Sequence, residues 1–158
     1  MFSKLKYLFT SKKLKKYINE TQNPRFRGKF NIPSEEDVLG ILDKQTKSFS
    51  STLLSFIDKK NMTDVDCYKR ANIDRKLFSK IRSNQNYKPS KNTVFAFAIA
   101  IKLNIDETED LLMSAGYSLS HSFLTDIIVE YFIEKKKYDI NLVNIALDEY
   151  KQKPLGSF

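Results

Sequence analysis

Cationic and hydroxyl side chains between residues 69 and 91 are the part of this chain whose types and spacing could serve recognition chemistry. Five of them share one face of a helix predicted to start after Asp74: Arg75, Lys76, Ser79, Lys80 and Ser83. An arginine can donate two hydrogen bonds to a guanine, and lysine or serine can contact bases or phosphates. A solvated helix face carries the same residue types, so the spacing alone leaves both interpretations open.

Five further cations near this face are candidate contacts to phosphate groups: Lys69, Arg70, Arg82, Lys88 and Lys91. Each of them, taken singly, could also be an ordinary surface residue. Together with the helix face they make nucleic-acid binding the chemistry that this stretch favours.

Other kinds of site find little support in the composition. The chain holds one cysteine, Cys67, and one histidine, His121, which excludes an internal disulfide framework, a cysteine-cluster zinc site and a multi-histidine metal site. Four glycines are present, and none forms a phosphate-binding loop pattern. We expect Cys67 to pack inside a helix and His121 to cap or pack at a helix start. The sequence therefore predicts no catalytic residues, no cofactor and no metal, and it does not favour an enzyme.

The formal charge of +8 is concentrated at the start of the 158-residue chain. Residues 1–30 hold nine Lys or Arg against one acid, Glu20, whereas the charges of the remaining residues cancel. This pattern predicts a basic arm and linker over residues 1–33, which could lie along phosphates, pack against a partner or the protein body, or bind an anionic membrane. Charges interrupt the apolar stretch that a secretory signal needs, and no apolar run approaches a membrane span, so we expect a cytoplasmic protein.

Apolar residues recur at helical spacing, and no segment shows sustained strand-like alternation, which predicts an all-α fold. Helix-start signatures with a capping side chain occur at three places: Ser34–Asp37, Thr63–Asp66 and Asp106–Glu109. From residue 48 the pattern predicts five short helices: one ending at Asn61, one from Thr63 to about Ala71, one capped by Asp74 and ending near Asn84, one from Ser90 to Asn104, and one capped by Asp106 and ending near Gly116. We accordingly predict a helical domain over residues 34–120, with its core at 48–116, and a helical extension over 121–158.

The stretch from Met62 to Asn84, with Lys88-Pro89-Ser90 and residues 99–107, resembles the Cro/repressor-type helix-turn-helix domain. The positions that carry the resemblance are two turn residues, a recognition-helix isoleucine, a loop proline and a leucine at the end of the fourth helix: Asn72, Ile73, Ile81, Pro89 and Leu103. Ile73, Phe78 and Ile81 can hold the third helix against the second and leave its other face free. The resemblance implies a five-helix domain whose third helix enters the major groove of double-stranded DNA, and hence a bacterial transcriptional regulator.

Two residues depart from that family's pattern. Tyr68 stands where the family usually has a small alanine at the close crossing of the two helices, and Arg82 stands where it often has an acid. These departures allow an alternative function, a protein-interaction or adaptor module built on the same fold. The run Tyr68–Asn84, with Glu130–Glu134 and Lys153–Gly156, also resembles C-terminal regions appended to varied bacterial proteins, some of which carry macro domains. This resemblance implies a portable module over residues 34–158.

Two more helices are predicted within residues 121–158, and both are rich in large apolar side chains. The first contains Phe123, Ile127, Ile128, Tyr131 and Phe132, and the second contains Ile140, Val143, Ile145, Leu147 and Tyr150. These helices lie outside the minimal DNA-binding domain of the family. They are therefore expected either to extend the core or to form the surface of a homodimer.

Overall fold

The computed structural model describes residues 47–156. Within that range the chain forms seven α-helices and no strand: α1 Phe49–Lys59, α2 Asp64–Arg70, α3 Arg75–Ser83, α4 Lys91–Ala100, α5 Ile105–Ser114, α6 Leu124–Glu134 and α7 Ile140–Glu149. The predicted all-α class is confirmed for this part of the chain. None of these seven helices has the length and apolar character needed to cross a bilayer. The predicted basic arm and the helix start at Ser34–Asp37 lie outside the described residues.

Side-chain caps determine where several of these helices begin. Thr63, Asp74 and Ser90 each accept a hydrogen bond from the backbone N–H three residues further on. Such a bond satisfies one of the donors that a helix N-terminus leaves without an intrahelical partner. All three residues stand where the sequence predicts a helix to start, and α2 and α3 also end where expected, beside Ala71 and Asn84.

The prediction for the start of α5 is wrong, because Asn104 and not Asp106 caps this helix. The Asn104 side chain accepts the N–H of Glu107, and the Glu107 carboxylate accepts the N–H of Asn104. The preceding helix has already ended at Ala100, and Lys102 takes a left-handed backbone conformation with φ of 55°. The chain has therefore turned before it reaches Asn104. Asp106 lies in the first turn of α5, where the helix dipole favours a carboxylate.

Helix α4 forms the centre of the fold. Every residue from Thr93 to Ala100 is buried, as expected for a helix that other helices surround. Helices α2, α5 and α7 pack against it. The Phe97 ring of α4 contacts the rings of Phe49 in α1 and Phe78 in α3. Aromatic packing on α4 therefore sets the position of α3.

The C-terminal helices α6 and α7 belong to the same core. They pack against each other, and they also contact α5 and α4 respectively. Their inward faces bury Val129, Ile133, Val143 and Leu147. These two helices thus extend the core, which is one of the two roles expected for them from the sequence.

Candidate nucleic-acid interface

A short turn whose geometry follows from the local sequence joins α2 to α3. The N–H of Ile73 donates to the carbonyl of Tyr68 at 2.9 Å, and Asn72 takes a left-handed backbone conformation with φ of 52°. Asparagine tolerates this conformation better than most residues other than glycine. Ala71 and Ile73 are buried on either side of Asn72, and Asp74 then caps α3. The chain therefore passes from one helix to the next in four residues.

Helix α3 has one buried face and one exposed face. Phe78 and Ile81 are buried and, with Ile73 before the helix, attach α3 to the core as the sequence predicts. The five residues of the predicted recognition face are all exposed: Arg75, Lys76, Ser79, Lys80 and Ser83. Helical spacing places this set on the side opposite Phe78 and Ile81. The structure thus brings the five side chains together on one solvent-facing surface.

Tyr68 fits into the packing between α2 and α3. Its half-buried ring lies 5.6 Å from the Phe78 ring, measured between centroids, with the ring planes at 46°. Tilted aromatic pairs of this kind are favourable beyond their buried area. Tyr68 is therefore accommodated between the two helices by a ring partner on α3.

Two of the predicted phosphate contacts are held by carboxylates within the protein. Arg82 forms an ion pair with Asp64 of α2, and Lys91 forms one with Asp126, which is buried in α6. The sequence analysis missed both carboxylates because they lie 18 and 35 residues away along the chain. By contrast, the remaining three are exposed and have no carboxylate of residues 47–156 within ion-pair distance: Lys69, Arg70 and Lys88.

The loop that follows α3 contributes an aromatic side chain to this surface. The Lys80 Nζ lies 5.9 Å from the centre of the Tyr87 ring, a cation–π distance. The loop is also tied to α1, since the Ser50 hydroxyl donates to the carbonyl of Asn84 at 3.0 Å. Sequence reasoning did not single out Tyr87, although an aromatic residue among predicted surface cations was an available signal.

Charge is distributed unequally along the described chain. Residues 62–91 hold eight Lys or Arg against three Asp, a net charge of +5, whereas residues 103–149 hold ten acids against three Lys. Each of the three aspartates has a partner within the same segment, because Asp64 pairs with Arg82, Asp66 accepts from Thr63 and Asp74 caps α3. The segment that contains α2 and α3 therefore carries an excess of positive charge that would attract an anionic polymer.

The cysteine is buried inside a helix as expected from the sequence, whereas the expectation for the histidine is wrong, because His121 neither packs in the core nor caps α6, whose N-cap is Phe123 without a side-chain hydrogen bond. Cys67 is buried in α2, and this burial, with a smaller contribution from Asp64, raises the pKa of its thiol to about 12. A thiol with so high a pKa is a poor nucleophile at neutral pH. His121 is exposed, and its Nε2 lies 2.7 Å from a carboxylate oxygen of Glu130. Across residues 47–156, no group of three or more His, Cys, Asp or Glu is arranged to hold a metal ion.

Comparisons of this chain with models of protein families, with curated proteins and with solved structures found no match. The interpretation of the surface accordingly depends on its own residues. These are an exposed cationic face on α3, a buried aromatic and aliphatic face opposite it, and the short turn that positions the helix.

Proposed function

We propose that this chain is a DNA-binding transcriptional regulator in which α2 and α3 act as a helix-turn-helix and α3 lies in the major groove. The exposed face of α3 reads base edges through Arg75, Lys76, Ser79, Lys80 and Ser83. Lys69, Arg70 and Lys88 contact phosphates. Arg82 and Lys91 are left out of this interface because Asp64 and Asp126 already hold them.

The residue types on the exposed face of α3 carry this proposal. Apolar side chains line a groove that receives a helical or peptide partner, whereas cations and hydroxyls recognise phosphates and base edges. Among the large apolar side chains exposed in residues 47–156, only Val65 of α2 lies between residues 62 and 91. This distribution favours DNA over a protein partner at α3.

Salt-dependent binding to genomic fragments that include the promoter of the protein's own gene tests the proposal. The double variant Arg75→Ala, Lys80→Ala removes two side chains that are proposed to read bases. Each loss should weaken the free energy of specific DNA binding by about 1–3 kcal/mol. Lys135→Ala, Lys137→Ala is the matched control, since it also removes two exposed cations but lies beyond α6. The control should bind as the wild type does. A double variant at Arg75 and Lys80 that binds as tightly as wild type would refute the assignment of α3.

An exposed apolar stripe on α6 supports a homodimer. Leu124, Ile127 and Tyr131 repeat at helical spacing on the side opposite the buried Val129 and Ile133. A two-fold dimer would present two copies of α3 to successive turns of the DNA major groove. We therefore propose that α6 supplies the dimer surface.

Sedimentation equilibrium tests the dimer. Ile127→Glu should convert it to a monomer, because the new carboxylate would be buried in an apolar interface. Asn141→Glu is the matched control, since it adds the same charge at an exposed position of α7 outside the stripe. A monomeric wild-type protein would refute the dimer and make the stripe the candidate surface for the alternative function, a protein-interaction module.

A further inference from the structure

The chain that follows α7 returns to the turn between α2 and α3. After Glu149, Lys151 takes a left-handed backbone conformation with φ of 55°, and the N–H of Gln152 donates to the carbonyl of Leu147 at 2.8 Å. These features form a Schellman-type helix end, at which the chain reverses direction. The following residues, 152–156, are here named the C-terminal strap.

Side chains of α4 and α7 hold the C-terminal strap in place. The Asn144 amide donates to the carbonyl of Leu155 at 3.2 Å and accepts the N–H of the same residue at 2.7 Å. The Asn92 amide lies within 3.3 Å of the carbonyl oxygen of Pro154 and 3.5 Å of that of Lys153. Leu155 is itself fully buried. Backbone groups paired in this way make the strap an ordered part of the fold.

The strap ends in close contact with the turn. Gly156 has φ of +97°, and a Cβ at this position would lie 2.9 Å from the Cβ and 2.9 Å from the carbonyl oxygen of Asn72. It would also lie 3.0 Å from the carbonyl oxygen of Ala71. Since two of these three atoms belong to the backbone of the turn, a side chain at 156 could be fitted only by moving the turn or the end of the strap that packs on it. Glycine is required here both for its conformation and for its lack of a side chain.

We propose that the C-terminal strap sets the position of the turn between α2 and α3 and thereby positions the DNA-reading face of α3. The proposal rests on the DNA-binding function argued above. Helix α3 begins at Arg75, three residues after Asn72, so a displaced turn moves Arg75 and Lys76 first. The strap couples the C-terminal helices to the recognition helix, and Gly156 and Asn144 act as positioning residues with no contact to DNA.

Two glycine variants of the full chain separate this contact from ordinary backbone strain. Gly156→Ala places a methyl group against the turn, whereas Gly116→Ala puts an alanine at a similar φ of +82° with no other atom within 4 Å. Asn144→Ala is a second way to disturb the strap, because it removes both hydrogen bonds to Leu155 and adds no bulk. The readouts are the backbone amide chemical shifts of residues 71–76 and the affinities for specific and non-specific DNA.

In Gly156→Ala and Asn144→Ala we expect the amide signals of the turn to shift and specific affinity to fall by roughly 3- to 30-fold, the usual range of coupling through a shared rigid element. Non-specific affinity should be retained, since the cations themselves are unchanged, and Gly116→Ala should match wild type in both readouts. Unshifted turn amides in Gly156→Ala would overturn the proposal. Shifted amides with wild-type affinity would overturn the link to DNA reading. If the wild-type protein binds no DNA, the proposed function fails, and the amide shifts alone decide whether the strap sets the turn.

Discussion

The ion pair between Lys91 and Asp126 joins α4 to α6 and has two unequally buried partners. The Asp126 side chain is 3% exposed, and it accepts hydrogen bonds from Lys91 Nζ and, at 2.9 Å, from the N–H of Ser120. The Lys91 side chain is 23% exposed, and its Nζ lies 5.7 Å from the ring centres of both Phe95 and Phe123. The carboxylate is therefore removed from water more completely than the ammonium group.

This asymmetry predicts unequal costs for removing the two charges. Lys91→Met keeps an apolar side chain but leaves a buried carboxylate without its cation, so it should destabilise the fold by about 3–5 kcal/mol. Asp126→Asn keeps an acceptor for the Ser120 N–H and leaves an ammonium group with partial access to water, so it should cost about 1–3 kcal/mol. The double variant should cost less than Lys91→Met alone, because no buried charge then lacks a partner.

Urea unfolding of the four proteins in this cycle, followed by circular dichroism at neutral pH, measures the free energies. The pair Arg82–Asp64 supplies a matched comparison, since its side chains are 54% and 38% exposed. Arg82→Met should therefore cost about 1 kcal/mol or less. An Asp126→Asn variant as destabilised as Lys91→Met, or a Lys91→Met variant no worse than Arg82→Met, would refute the reasoning from burial.

Three further predictions concern the α5 cap, the Glu107 carboxylate and the predicted basic arm. Asn104→Ala should destabilise the protein by about 1 kcal/mol because it removes the α5 cap, whereas Asp106→Ala should cost about half of that or less. Thermal unfolding of the two variants measures the difference. Burial acts to raise the pKa of Glu107, but hydrogen bonds from Lys60 and the Asn104 N–H and the charges of Lys60 and Lys59 hold it below its ordinary value of 4.5. The ionised Glu107 side chain thus contributes stability above pH 4.5, and this stability is lost as the pH falls through the lowered pKa. Urea titrations should therefore find Glu107→Gln less stable than wild type at pH 7 and nearer to wild type at pH 3. Deletion of residues 1–30 should lower the slope of log K against log salt by about 3–4 without changing the preferred DNA sequence.

Each of these predictions has a contradicting outcome. An Asp106→Ala variant less stable than Asn104→Ala would indicate that Asp106 caps α5, as expected from the sequence. A stability difference between wild type and Glu107→Gln that is the same at pH 3 and pH 7 would contradict the lowered pKa of Glu107. Strong flotation of the 1–30 peptide with anionic liposomes, together with an unchanged salt slope after the deletion, would assign the arm to membranes.

The sequence by itself determined those features that depend on neighbouring residues. The caps at Thr63, Asp74 and Ser90 were predictable because a capping side chain bonds an N–H only three residues away. The two faces of α3 were predictable because helical spacing separates Phe78 and Ile81 from the cations. The cap of α5 was missed because two polar residues could serve, and the left-handed turn at Lys102 decided between them.

Only the tertiary structure decided which charges are open to a partner and what positions α3. Arg82 and Lys91 are indistinguishable from the other cations in the sequence, yet Asp64 and Asp126 hold them once α2, α3, α4 and α6 have packed into the core. The contact of Gly156 with Asn72 likewise exists only because the chain that follows α7 passes the start of α4 and returns to the turn. The physical reason is common to all three cases. Local hydrogen bonds and helical periodicity are written into short segments, whereas contacts between distant residues depend on how the whole core packs.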